Sequence, residues 1–124
     1  MSKWIWVAAA GALGTLLRVW ISGVIQRAAG AAFPWGTAVV NVLGCLIFGA
    51  AFAALDGRVS VSPTVKLVAL GGFMGAFTTF STFIFEAEAL LADGRLGVAA
   101  LDVLGQSAAG LVAMVAGLAL GRAL

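Results

Sequence analysis

The chain has 124 residues, 63% of them hydrophobic and 10% charged, with a formal net charge of +2 and no His or Tyr. At a mean hydropathy of +1.15 it has too few polar groups to cover a water-soluble globule, which excludes a soluble domain and points to a membrane protein. A spanning helix takes about 20 apolar residues, so the length admits four or five spans with short connections.

In chain order, the first apolar run covers residues 4–26 and is interrupted only by Arg18. Lys3 alone precedes it, and the run is too long for the apolar core of a signal peptide, so it reads as a retained span. After the loop RAAGAAFP, a second run covers residues 35–55 without a charge. The stretch DGRVSVSPTVK, with Asp56, Gly57 and Pro63, reads as a water-exposed turn. A third run follows at 65–91, and after EAEALLADGRLG a fourth at 97–121, with Asp102 near its start. Trp4, Trp6 and Trp35 fall at predicted span ends, where indole rings favour the membrane–water boundary. The alternation expected of a transmembrane barrel is absent. The expected fold class is an all-α membrane protein with a single domain of four transmembrane helices.

Lys3, Arg58, Lys66 and Arg122 would share one side of the membrane, against Arg27 and Arg95 on the other. So weak a bias toward cytoplasmic termini permits insertion in both senses. Two oppositely inserted copies would pair about a twofold axis lying in the membrane plane. Glycines at 71 and 75, at 117 and 121, and at 44, 49, 105 and 110 offer flat surfaces for close helix approach. They suggest a homo-oligomer, with packing inside one chain as the alternative. Cys45 has no partner for a disulfide and reads as a small core residue.

The third run contains GGFMGAFTTFSTF, residues 71–83, which is a poor helix. Gly is the weakest helix former after Pro, and neighbouring threonines lose side-chain freedom there. A break is therefore expected near 73–79. Carbonyls freed at a break inside a membrane must be buried, face a water cavity or bind a cation such as Na⁺; a kink healed by Thr hydroxyls is the competing reading. If helix resumes near Thr79, Phe80 and Phe83 share a face with Ser81 and Thr82 beside them. The positive rim of an aromatic ring attracts an anion, and hydroxyls can replace part of its hydration shell. Ordinary packing of the two rings is the alternative. Asn41, inside the charge-free second run, must hydrogen-bond across helices or face water. Arg18 is read either as an anchor snorkelling to the interface or as a positive charge in an anion vestibule.

GALGTLLR at 11–18, PWGTAVVNVLG at 34–44 and GGFMGAFTTFSTFIFE at 71–86 resemble the signature segments of the Fluc (CrcB-type) fluoride channels. The resemblance covers essentially all four spans. It implies an antiparallel, dual-topology homodimer with two fluoride pathways and a structural Na⁺ at the dimer interface. Backbone carbonyls at Gly75 and Thr78 would hold the Na⁺. Phe80 and Phe83 would present ring edges to fluoride, with Asn41, Ser81 and Thr82 along the pathway. Glu86 matches an acidic position near the end of that track, and Arg18 the first-helix arginine of structure or vestibule. The expected partners are thus fluoride, the bilayer and an identical subunit, with no nucleic acid.

Three positions depart from the family pattern. Ile84 stands where Ser is frequent, Asp102 where a fourth-helix Tyr is usual, and Gln106 where Ser is common. Family roles are not carried to them, and Asp102 is expected to be a water-exposed charge favourable to its helix dipole. The expected function is passive fluoride export across the plasma (inner) membrane, without enzymatic chemistry, since there is no His and Cys45 stands alone. The alternatives are a small exporter of organic cations, disfavoured because the first run carries Arg18 and no acid, and a non-transporting assembly subunit.

Overall fold

The computed structural model describes residues 2–56 and 61–124; Gly57 and Arg58, placed above in a turn and in the charge count, lie outside them. Helix α1 spans Ser2–Ala29, α2 spans Trp35–Leu55 and α3 spans Pro63–Lys66. A π-helical stretch, Leu67–Met74, continues α3 into the short α4, Gly75–Phe77. Two further helices follow, α5 at Phe80–Ala92 and α6 at Leu96–Ala123. Among the described residues four helical units, Ser2–Ala29, Trp35–Leu55, Pro63–Ala92 and Leu96–Ala123, are long and apolar enough to cross a membrane. No strand occurs among the described residues.

Local chemistry sets the helix ends. Gly30 closes α1 at φ 84°, where a side chain would be strained. Gln26 then clamps the loop: its Nε2 donates to Gly30 O and Phe33 O at 2.6 and 3.0 Å, and its Oε1 accepts from Gly36 N at 2.9 Å. The Ser62 side chain caps α3 by accepting from Val65 N, with Pro63 in the first turn. Between α5 and α6, Gly94 N donates to Leu91 O and Arg95 N to Leu90 O, both at 2.9 Å, the paired closure of a left-handed helix cap at Gly94.

Helices α2 and α6 make the most extensive contact in the chain. Glycines let their backbones approach: a Cβ on Gly49 would lie 2.6 Å from Met114 O, one on Gly117 would run into Leu46 O, and one on Gly121 into Ala50 O. The Gly117–Gly121 step is therefore consumed inside the chain, so it gives no support to a partner helix. Gly71, Gly75 and Gly105, in contrast, meet only atoms of their own helical segments. On the other side, α1 packs against the π stretch, where a Cβ on Gly14 would collide with Phe73 O. Val40, Met74 and Phe77 form the core, ringed by Leu17, Ile21, Leu43, Phe48 and Phe73. Large apolar side chains, including Trp4, Trp6, Trp20 and Trp35, cover the outside, as suits a chain solvated by hydrocarbon.

Candidate functional site: the break in the third span

The doubtful helix around Gly71 winds as a π-helix, with Gly75 N reaching back to Leu70 O. Helical geometry persists to Phe77. Only Thr78 and Thr79 are extended, at φ −92°, ψ 160° and φ −147°, ψ 118°. Helix α5 then starts with Thr79 as its cap, the Thr79 side chain accepting from Thr82 N.

Two neighbours keep this break from closing. In a continuous helix Thr79 N–H would bond to Gly75 O; here it donates to Asn41 Oδ1 at 2.9 Å. Likewise Thr82 N–H, the regular partner of Thr78 O, goes to Thr79 Oγ1. Gly75 and Thr78 thus lose their regular donors, while Ala76 O accepts from Arg18 Nε at 3.1 Å. Arg18 does not snorkel: its cation sits at the carboxyl end of α4, where the helix dipole and the freed carbonyls attract it. Asn41 is held bidentate on the break, its Nδ2 donating to Thr79 O and to Gln106 Oε1, both at 3.1 Å. The predicted cross-helix partners of this amide are the Thr79 backbone and Gln106.

Three small cavities run past these residues. One of about 260 Å³ is lined by Asn41, Cys45, Thr79, Phe80, Phe83 and Gln106. A second, about 300 Å³, lies against Arg18, Ser22, Gln26, Thr37, Thr79 and Thr82. A third, about 280 Å³, is bounded by Ser22, Gln26, Phe85, Glu86 and Asp93. Thr79 is common to the first two, and Ser22 and Gln26 to the second and third. The Phe80 and Phe83 rings stand 5.9 Å apart between centroids, tilted by 56°; Phe83 is buried whereas Phe80 is 75% exposed. Glu86 Oε1 accepts from Thr37 Oγ1 at 2.8 Å, and its Oε2 is buried without a partner.

Most of the sequence candidates gather here, but not all. Ser81 is exposed and lines none of the three cavities. Ile84 is exposed too, outside these cavities. The expectation for Asp102 is overturned: it is fully buried, with Oδ1 accepting from Gln106 Nε2 at 2.6 Å and Oδ2 unpartnered. It lies too far into α6 for the first turn, and its spacing of four to Gln106 puts both on the inward face. That spacing was the available signal. Thr37, Ser22 and Gln26 were missed because nothing local sets them apart from other polar residues of membrane helices.

This is a multi-pass membrane protein with its polar groups collected around an interrupted helix. Residues 5–118 match the family described as CrcB-like protein, Camphor Resistance (CrcB). The chain belongs to that family. It is similar to proteins named fluoride-specific ion channel FluC from several bacteria. It is 54% identical to that of Solidesulfovibrio magneticus, with 94% of this chain and 93% of the relative aligned. Identity to the Nitrosococcus oceani protein is 49%, covering 93% and 92%. To that of Maridesulfovibrio salexigens it is 47%, covering 98% and 97%. These relatives are named for ion conduction, a non-enzymatic function.

Proposed function

We propose that the chain forms a fluoride-selective channel of the plasma membrane, working as an antiparallel homodimer with two pathways. The observation that carries this reading is the break at Thr78–Thr79, held open by Asn41 beside a cavity edged by Phe80 and Phe83. Fluoride binds water strongly, so a pathway through hydrocarbon must replace that shell. Thr82 offers a hydroxyl, and the rings offer positive edges compatible with their apolar surroundings. Asn41 borders the same cavity with both amide hydrogens engaged, so it acts on the pathway by fixing the break. Phe80 and Ser81 are exposed in the single chain, as residues completed by a second subunit would be. An apolar hollow of about 450 Å³ beside Trp35, Val39, Leu46, Leu101 and Gly105 offers further surface to that subunit.

The carbonyls of Gly75 and Thr78 suit a structural Na⁺ at the dimer interface, because both have lost their regular helical donors and hard cations take oxygen ligands. When bound, the ion supplies fixed positive charge. Arg18 adds to it from the second cavity. Hydrofluoric acid is weak, so its neutral form enters cells from acidic surroundings and releases fluoride inside. A passive pathway lets the negative-inside potential drive the anion out. The test is release from liposomes read by a fluoride electrode: fluoride efflux without chloride efflux supports the channel. Proton-linked efflux of an organic cation, or silence, overturns it.

A further inference from the structure

Asp102 and Gln106 touch the break only indirectly, yet the hydrogen bonds between them run in one direction. Asp102 Oδ1 accepts from Gln106 Nε2 at 2.6 Å, Gln106 Oε1 accepts from Asn41 Nδ2 at 3.1 Å, and Asn41 Oδ1 accepts from Thr79 N at 2.9 Å. Each carboxamide has one oxygen end and one nitrogen end, so the direction at one link dictates the next. Turning Asn41 over would set its nitrogen against Thr79 N–H and its oxygen against Gln106 Oε1. Turning Gln106 with it would set that oxygen against the Asp102 carboxyl. Both ends are fixed: the Thr79 backbone N–H cannot turn, and Asp102 Oδ1, accepting, has no proton to offer a turned Gln106, so Asp102 holds from the far end the one direction that Thr79 accepts. Asp102 is fully buried and Gln106 nearly so, which shields the link between them from water.

We propose that Asp102 is a positioning residue: through Gln106 it sets the direction of the Asn41 carboxamide and so keeps Thr79 N–H from returning to Gly75 O. The inference rests on the reading of the break as the conducting site. It requires an acceptor oxygen at Oδ1 facing Gln106 Nε2, as in the bond between them. The departures from the family pattern at 102 and 106 then form one paired device rather than two separate losses. Gln106 belongs to the cavity wall as well, so the chain of bonds ends where the anion would pass.

Asn41 is the sole asparagine of the chain, so selective ¹⁵N-asparagine labelling of the full-length protein yields one side-chain amide pair. The expected result is a shifted Asn41 pair in both D102L and Q106M. Fluoride flux should fall about tenfold or more in each, the loss expected for misdirected buried hydrogen bonds. The double variant D102L/Q106M should conduct no worse than Q106M, because the two act in series. D102N, which retains an acceptor oxygen, should keep most of the flux. Losses that multiply in the double variant overturn the proposal, as does a loss in D102N as deep as in D102L. An Asn41 pair unmoved in Q106M overturns it too, whatever the fate of D102L on folding. If the wild-type chain passes no fluoride, the channel reading falls while the amide signals still decide this one.

Discussion

Two phenylalanines beside the break behave differently: Phe83 is packed into the chain and Phe80 projects from it. Replacing either with Ile keeps an apolar side chain and removes the ring edge. Both variants should assemble normally and lose fluoride flux by about tenfold or more, a barrier rise of at least about 1.4 kcal/mol. Unchanged electrode traces in both would remove the rings from the pathway. For Asn41→Asp the expected loss has two causes. A carboxylate still accepts from Thr79 N–H, but it has nothing to donate to Thr79 O and Gln106 Oε1, and any charge repels an approaching anion. Flux at the wild-type level in N41D would refute both. Much at this scale was legible in the sequence, because a lone amide in hydrocarbon has to find partners and a Gly-rich, Thr-rich run has to interrupt a helix. Which partners were found was not legible. Asn41 reaches Thr79 across 38 positions and Gln106 across 65, and only the packing of α2 against the third span and against α6 fixes those distances. Asp102 was misread because its place near the start of the fourth run outweighed its spacing to Gln106.

At the scale of elements, α2 and α6 depend on missing side chains. Gly117→Val would drive its branched side chain against the Leu46 carbonyl. Destabilisation of about 1–3 kcal/mol is expected, as for other overpacked contacts. Gly97 belongs to the same helix and has open space around it, so Gly97→Ala should leave stability level or raise it by up to about 1 kcal/mol through helix propensity. Thermal denaturation in detergent separates the two, and equal melting temperatures would contradict the packing described for α2 and α6. The sequence marked these glycines as contact points but left their partner open, since a flat helix face fits a neighbour in the same chain or in another. The structure divides them. Gly49, Gly117 and Gly121 are spent on the α2–α6 pair, and Gly71, Gly75 and Gly105 are left facing outward.

At the scale of the whole molecule, the four helical units among the described residues leave small open cavities edged by a few polar side chains, while bulky apolar groups face outward. A resident Na⁺ between two copies would stabilise the assembly by mass action, by about 2.7 kcal/mol at a hundredfold excess over its Kd. Dialysis against N-methylglucamine should therefore lower the melting temperature of the purified protein, and returned Na⁺ should restore it. A melting temperature indifferent to the exchange would remove the ion from the account. The π-helical stretch Leu67–Met74 bears on the same carbonyls. Wider turns hold more residues over a given rise, so this stretch carries surplus chain that an α-helix of the same length would omit. The excess is absorbed in the winding, so a deletion there would let the segment relax to an α-helix with the span beyond it near its present angle, whereas a deletion in a regular α-helix swings everything beyond it by roughly 100°. The carbonyls of Gly75 and Thr78 would keep their direction in the first case and lose it in the second with every side chain around them intact, so the angular phase of this span is as much a part of the site as any residue in it.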